Sequence, residues 1–182
     1  MIHTWKPLET KIITHSKYRQ SIEILYELPD GRQEVFSLSY VGKVVSVFAL
    51  TEDHKVILAR QFRPGPNLVL DELPGGAVDG EESLEAAAKR ELLEETGYES
   101  QEWIPLGRMI ESAYSTIERH GFVAKSCNKI SAQKLDPNEF IEVVQKPIHE
   151  FLDQLRSGQC TDLEVGWAAL HATGFLRFVG AD

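Results

Sequence analysis

Residues 76–98 read GAVDGEESLEAAAKRELLEETGY, and their spacing decides how the rest of the chain is read. A glycine-bearing turn leads into Ser83, a good helix N-cap, and Gly97 stands where a left-handed residue ends a helix. The stretch between them predicts a helix over about Ser83–Thr96. With Leu84 at zero and about 100° per residue, Ala88 falls at about +40° and Ala87 at about −60°, a narrow apolar stripe. Glu91 then falls at about −20° and Glu95 at about +20°, so the stripe continues as carboxylates. Glu94 lies beside them at about −80°.

This crowding opposes folding. Like charges three or four apart cost about 0.2–0.5 kcal/mol per pair. Acids in a last turn also oppose the helix dipole. A hard divalent cation relieves both problems, because Mg²⁺ takes carboxylate oxygens together with water and phosphate. The stretch contains no cysteine or histidine, which argues against zinc. The alternative is a solvated acidic helix end. Arg90, about −120° from the stripe, is placed to reach back to Glu82 at the helix start.

Outward from this helix, alternating patterns predict strands at Tyr18–Leu28, Gln33–Tyr40, Lys43–Leu50, Val56–Phe62 and Leu68–Leu73. Pro29-Asp30-Gly31 marks the first turn. Strands resume at Trp103–Glu111, Gly121–Ser126 and Phe140–Gln145, with a polar loop over Ser131–Asn138. Pro147 suits the first turn of a helix that reaches Arg156 and stops at Ser157-Gly158. A last helix is expected over Asp162–Leu176.

The 182 residues suffice for one domain with a real core. A net charge of −9 argues against a nucleic-acid backbone as partner. Cations bridging the glutamates to a phosphorylated small molecule suit it better. Cys127 and Cys160 follow no disulfide or metal spacing and read as reduced thiols of a cytoplasmic protein. The start, MIHTWKPLETK, shows no secretory h-region, and the apolar run Val44–Leu50 is too short to span a bilayer.

The 76–98 stretch resembles the signature box of the Nudix hydrolases, with Gly76, Glu82, Arg90, Glu91, Glu94, Glu95 and Gly97 all in place. The resemblance runs from about Val44 to Leu176 and implies an α+β fold, an α/β/α sandwich around a mixed sheet. Residues 43–182 would form that domain, and residues 1–42 an N-terminal antiparallel strand region. It implies Mg²⁺-dependent hydrolysis of a nucleoside diphosphate linked to another group, with Mn²⁺ as the alternative ion. Glu91 and Glu95 match metal ligands, and Glu94 matches a ligand or base-like position. The Gly75 carbonyl matches an additional ligand, and Arg90 a residue that holds loop and helix together.

The run ARQFRPGPNLVLDELPGG at 59–76 resembles the ADP-ribose pyrophosphatase branch. That branch implies a homodimer exchanging N-terminal strands; the charge balance and the short apolar run lead us to expect no nucleic-acid or membrane partner. Arg63 matches a substrate-contacting arginine suited to a diphosphate. Glu72 reads either as acceptor of a ribose hydroxyl or as a plain strand-end acid. The segment Glu111-Ser112-Ala113-Tyr114-Ser115 lacks the proline usual in that branch, which leaves ADP-ribose preference open. Glu139, in the loop Leu135–Phe140, matches an acidic position that supplies the base there; a solvated loop acid is the alternative, and Glu94 the other candidate base. His120 reads as an ordinary hydrogen-bonded or surface histidine. Rival functions are hydrolysis of GDP-mannose or another NDP-hexose, a non-catalytic ligand-binding module, and an mRNA decapping enzyme. The retained box acids weigh against the module, and the acidic balance against decapping.

Overall fold

The structure is a computed structural model that describes residues 2–16, 19–40 and 42–176. Tyr18, assigned above to the first strand, lies outside the described residues. The chain divides into two compact units, Met1–Lys43 with Ile110–Glu118, and Val44–Met109 with Arg119–Asp182. The segment Ile110–Glu118 therefore groups with the N-terminal strands, although it is far from them in sequence.

In the first unit, β1 (Lys6–Ser16), β2 (Arg19–Glu27) and β3 (Gln33–Tyr40) form an antiparallel sheet in that order. The β2–β3 turn forms at Pro29-Asp30-Gly31, where Gly31 takes φ +85° and donates to the Leu28 carbonyl at 2.9 Å. Trp5 packs on Phe36 and Tyr26, with ring centroids 5.2 and 6.0 Å away. The strand reading missed β1 because KPLETKIITHS is exposed nearly throughout and shows no buried face. Tyr114 and Thr116 exchange backbone hydrogen bonds with Ser39.

The second unit contains β4 (Lys43–Thr51), β5 (Lys55–Arg63), β6 (Leu68–Glu72), β7 (Gly75–Ala77), α1 (Leu84–Thr96), β8 (Tyr98–Glu99), β9 (Glu102–Ile110), β10 (Glu118–Lys129), β11 (Glu142–Pro147), α2 (Ile148–Ser157) and α3 (Leu163–Ala172). Its sheet runs β11-β5-β4-β10-β8, with β6 on β5, β7 on β4 and β9 on β10. Alternation along the central strands sorts the core onto two faces. Phe48, Leu50, Val56, Leu58 and Val123 pack with Phe151 and Leu155 of α2 and Val165, Ala169 and Leu170 of α3. Val45, Val47, Ala49, Ile57, Phe122 and Ala124 pack on the other side with Ala87, Ala88 and Leu92 of α1. Full burial of side chains such as Phe48 and Ile57 contributes about 1.5–3 kcal/mol each.

The last helix is shorter than expected. Gly174 takes φ +78°, and the Leu176 N–H closes on the Leu170 carbonyl at 3.0 Å, a glycine stop that apolar residues beyond it disguised.

Candidate active site

The site is built at the C-terminal end of α1. Ser83 caps the helix by accepting from the Ala86 N–H, and Gly97 ends it at φ +77° with its N–H on the Leu93 carbonyl. A Cβ on Gly97 would also sit 2.2 Å from the Ser131 carbonyl oxygen, so the following loop lies directly against this turn. Glu95 is 5% exposed, and its Oε2 accepts from the Gly75 N–H at 2.9 Å. Gly75 lies in β7, opposite Ser46 of β4, where a Cβ would meet the Val45 oxygen at 2.1 Å. Only glycine allows this approach, and the same backbone then presents its N–H to Glu95. Gly76 is needed for a related reason, because its Cβ would lie 2.4 Å from Glu91 Oε1.

Arg90 ties the turn to the helix. Its Nη2 donates to Glu82 Oε1 at 2.7 Å and to the Ala77 carbonyl at 2.9 Å. Its Nη1 donates to Glu91 Oε1 at 2.8 Å and to Glu94 Oε2 at 3.1 Å. Glu82 also accepts from the Asp79 N–H at 2.8 Å. The contact from Arg90 back to Glu82, expected from the helical wheel, is thus present.

One arginine does not neutralise this cluster. Burial raises Glu91, and raises Glu95 to about 8, with Glu91 and Glu139 adding like-charge repulsion to Glu95. The Gly75 N–H and the Arg63 charge oppose that shift without cancelling it. Glu139 is exposed on its loop, where its Oε2 accepts from the Asp136 N–H, yet its charge reaches both helix acids.

Gln133 holds that loop in place and was not foreseen. Its Nε2 donates to the Glu95 carbonyl at 2.6 Å and to the Ile141 carbonyl at 3.1 Å. The Lys134 N–H adds a bond to the Glu94 carbonyl. Orphan carbonyls of a helix end are thereby satisfied by a distant loop. A polar loop glutamine carries no periodic signal that would have marked it.

Arg63, at the end of β5, donates from Nε to Glu72 Oε2 at 2.6 Å and remains 43% exposed. Glu72 is fully buried. Its Oε2 also accepts from Gln61, and its Oε1 from the Thr161 hydroxyl. Glu72, read from the sequence either as acceptor of a ribose hydroxyl or as a plain strand-end acid, thus has both oxygens met by the chain's own donors. His120 lies half-buried on β10.

The donor set fits a hard cation. Glu91, Glu94 and Glu95 offer only oxygen, and two of them are desolvated with raised proton affinity. Among the described residues no closed cage of three ligating side chains is already assembled. The acids instead hold hydrogen bonds to Arg90 and the Gly75 N–H.

The NUDIX domain model matches residues 41–159, which spans the sheet, α1 and the Glu139 loop. The chain belongs to the Nudix family. Among Nudix relatives, the ADP-ribose pyrophosphatase of Bacillus subtilis (strain 168) is 28% identical over 170 residues, 90% of this chain and 92% of that one. The ADP-ribose pyrophosphatase of Saccharomyces cerevisiae is 27% identical, over 82% of this chain and 76% of its own. The ADP-sugar pyrophosphatase of Mus musculus is 36% identical over 62% and 55%. A solved structure described as an ADP compounds hydrolase superposes with a TM-score of 0.76 at 20% identity, covering 97% of this chain and 99% of that one, a match of fold. The protein is accordingly a Nudix pyrophosphohydrolase with the α+β fold of that family.

The seat of Glu91 can be tested in this Nudix box. Gly76→Ala is expected to lower kcat/KM about 10–100-fold, the usual effect of disturbing what orients a metal ligand, which is the role the Nudix resemblance implies for Glu91. The melting temperature should move by no more than about 2–4 °C, since a flexible side chain can yield. Kinetics beside thermal melts check this, and wild-type activity would mean that Glu91 does not need its position against Gly76.

Proposed function

We propose that the protein hydrolyses the pyrophosphate bond of ADP-ribose, or of a closely related nucleoside diphosphate sugar, to a nucleoside monophosphate and a sugar phosphate. The observation that carries this is the arrangement at the end of α1: desolvated Glu91 and Glu95 side by side, with the Arg63 charge acting on Glu95. The printed names of the bacterial, yeast and mouse relatives support the substrate class.

Glu91, Glu95 and Glu94, with the Gly75 carbonyl, would hold divalent cations, Mg²⁺ or else Mn²⁺. Bound there, such ions neutralise charge developing on the phosphoryl oxygens. Arg63, still 43% exposed beside its bond to Glu72, would bind the diphosphate, for which its planar fork is suited. Water adds to one phosphorus, its proton passes to a carboxylate, and the bond from that phosphorus to the bridging oxygen breaks. Glu139 is the carboxylate we favour, because it is exposed and its bond is to the neutral Asp136 N–H, whereas Glu94 is paired with the Arg90 cation. Glu82, Arg90, Gly76 and Gly97 shape the site and do not react.

We also assign a homodimer formed through the N-terminal sheet, on which Leu8, Ile12 and Val35 remain exposed. A cytoplasmic location fits the two buried free thiols, Cys127 and Cys160. Among the described residues no helix is long and apolar enough to cross a membrane.

A panel of ADP-ribose, GDP-mannose, other NDP-hexoses, nucleoside triphosphates and capped RNA, read by phosphate release and product chromatography, tests the reading. ADP-ribose or another nucleoside diphosphate sugar should lead, with AMP or the matching monophosphate as product. A 100-fold preference, about 2.7 kcal/mol in transition-state binding, for a triphosphate would overturn it.

A further inference from the structure

Thr161 lies on the loop between α2 and α3, about ninety residues after Glu72, yet its hydroxyl meets Glu72 Oε1 at 2.8 Å. The opposite oxygen of the same carboxylate receives Arg63 Nε at 2.6 Å. Glu72 is thus a buried strut with a hydroxyl at one end and the guanidinium at the other. We propose that Thr161 is a positioning residue of the diphosphate site, setting the orientation of Arg63 through Glu72. The inference rests on the reading of Arg63 as a diphosphate-binding residue.

Three features make the loop a rigid support. Asp162, almost fully buried, receives the Ser46 hydroxyl at 3.1 Å and is ion-paired with Arg119. Arg119 also pairs with Glu164 on α3. Gln154 of α2 donates to the Asp71 carbonyl, beside Glu72, and to the Gln159 carbonyl of the loop. Ser46 stands opposite Gly75, so the loop is anchored to the strand pair that also presents the Gly75 N–H to Glu95. Thr161 Oγ1 also lies 3.3 Å from Asp162 Oδ2, but a hydroxyl has one proton, and the shorter contact to Glu72 takes it.

Without the hydroxyl, Glu72 Oε1 is left buried and unpaired, and the carboxylate turns to seek another donor. Arg63 turns with it. The side chain of Thr161 is at the surface end of the loop, so an isosteric change leaves the core intact.

The test compares wild type, Thr161→Val, Thr161→Ser, Arg63→Met and the Val/Met double variant. Each is assayed for KM and kcat on ADP-ribose and, by calorimetry, for the Kd of ADP in the presence of Mg²⁺. Thr161→Val is expected to raise KM and the ADP Kd about tenfold, the size of a lost hydrogen bond to a charged group, with kcat within about twofold. Thr161→Ser should restore both. In the Arg63→Met background, Thr161→Val should add less than about twofold, because the residue it acts through is gone. An undiminished loss in that background, or no rescue by serine, overturns the role of Thr161 alone. An Arg63→Met protein with wild-type KM and ADP affinity overturns the reading of Arg63, and this proposal with it. The ADP arm remains readable even if ADP-ribose is not hydrolysed.

Discussion

Glu95→Gln is expected to reduce turnover about 10³-fold while making the metal-free protein more stable at pH 8. The first effect follows from removing a carboxylate that would hold a cation worth several kcal/mol at the transition state, at about 1.4 kcal/mol per tenfold in rate. The second follows from the burial of Glu95, which raises its pKa from 4.5 to about 8. The folded chain therefore binds this proton more tightly than the unfolded chain does. Stability is unaffected below about pH 4.5 and falls as pH rises from there towards 8, because the unfolded chain releases a proton that the buried carboxyl must keep. Glutamine carries no such charge and can still accept from the Gly75 N–H. In chelator, wild type and Glu95→Gln should melt together at pH 5, and the variant clearly higher at pH 8. Mg²⁺ should raise the melting temperature of wild type more at pH 8 than at pH 6, because cation and proton compete for the same oxygens. The variant should lose most of that response. Thermal melts across pH 5–8.5, with and without Mg²⁺, give the answer. A metal-free wild type whose stability is flat over that range, or a Glu95→Gln protein with normal turnover, would place the chemistry elsewhere.

Arg90→Met comes next in expected effect. Arg90 is about one quarter exposed and bonds oxygens of four residues, Glu82, Ala77, Glu91 and Glu94. Removing it leaves two close glutamates on adjacent turns without their shared cation. Partial solvent screening moderates the loss, so we expect about 2 kcal/mol rather than the 3–5 of a fully buried pair. At about 2–4 °C per kcal/mol the melting temperature should fall by about 4–8 °C. Mg²⁺ should recover more of that loss than it adds to wild type, since the vacated carboxylates face fewer positive charges. Activity at saturating Mg²⁺ should fall about 10–100-fold, from disordered ligands rather than absent ones. Unchanged stability in chelator would show that Arg90 balances no charge in this cluster.

These two residues show how far sequence reading reaches. Glu91, Glu94, Glu95 and Arg90 lie within one helical turn and a half, where a fixed angular step sets which side chains meet. Their relations were legible before any fold was known, as were the cap at Ser83 and the stop at Gly97. The β2–β3 turn was equally local. Strand β1 was not legible, because an exposed strand leaves no alternating apolar record. Strand β7 was hidden by its length and its glycines.

Glu72 and Gln133 mark the other limit. Glu72 in DELPGG looks like any acid at a strand end, and nothing nearby in the chain foretells that Thr161 closes one side of it. Gln133 reads as loop filler until the loop is seen across the end of α1. Local periodicity, dependent only on neighbours within a turn or a pleat, was enough for the acidic helix and its caps, and the resemblance of that box pointed to the family. The burial that raises Glu95, the Gly75 N–H aimed at it, and the Thr161–Glu72–Arg63 line were decided by tertiary packing. Desolvation and hydrogen bonding depend on residues that meet only when distant strands and loops close around the same space.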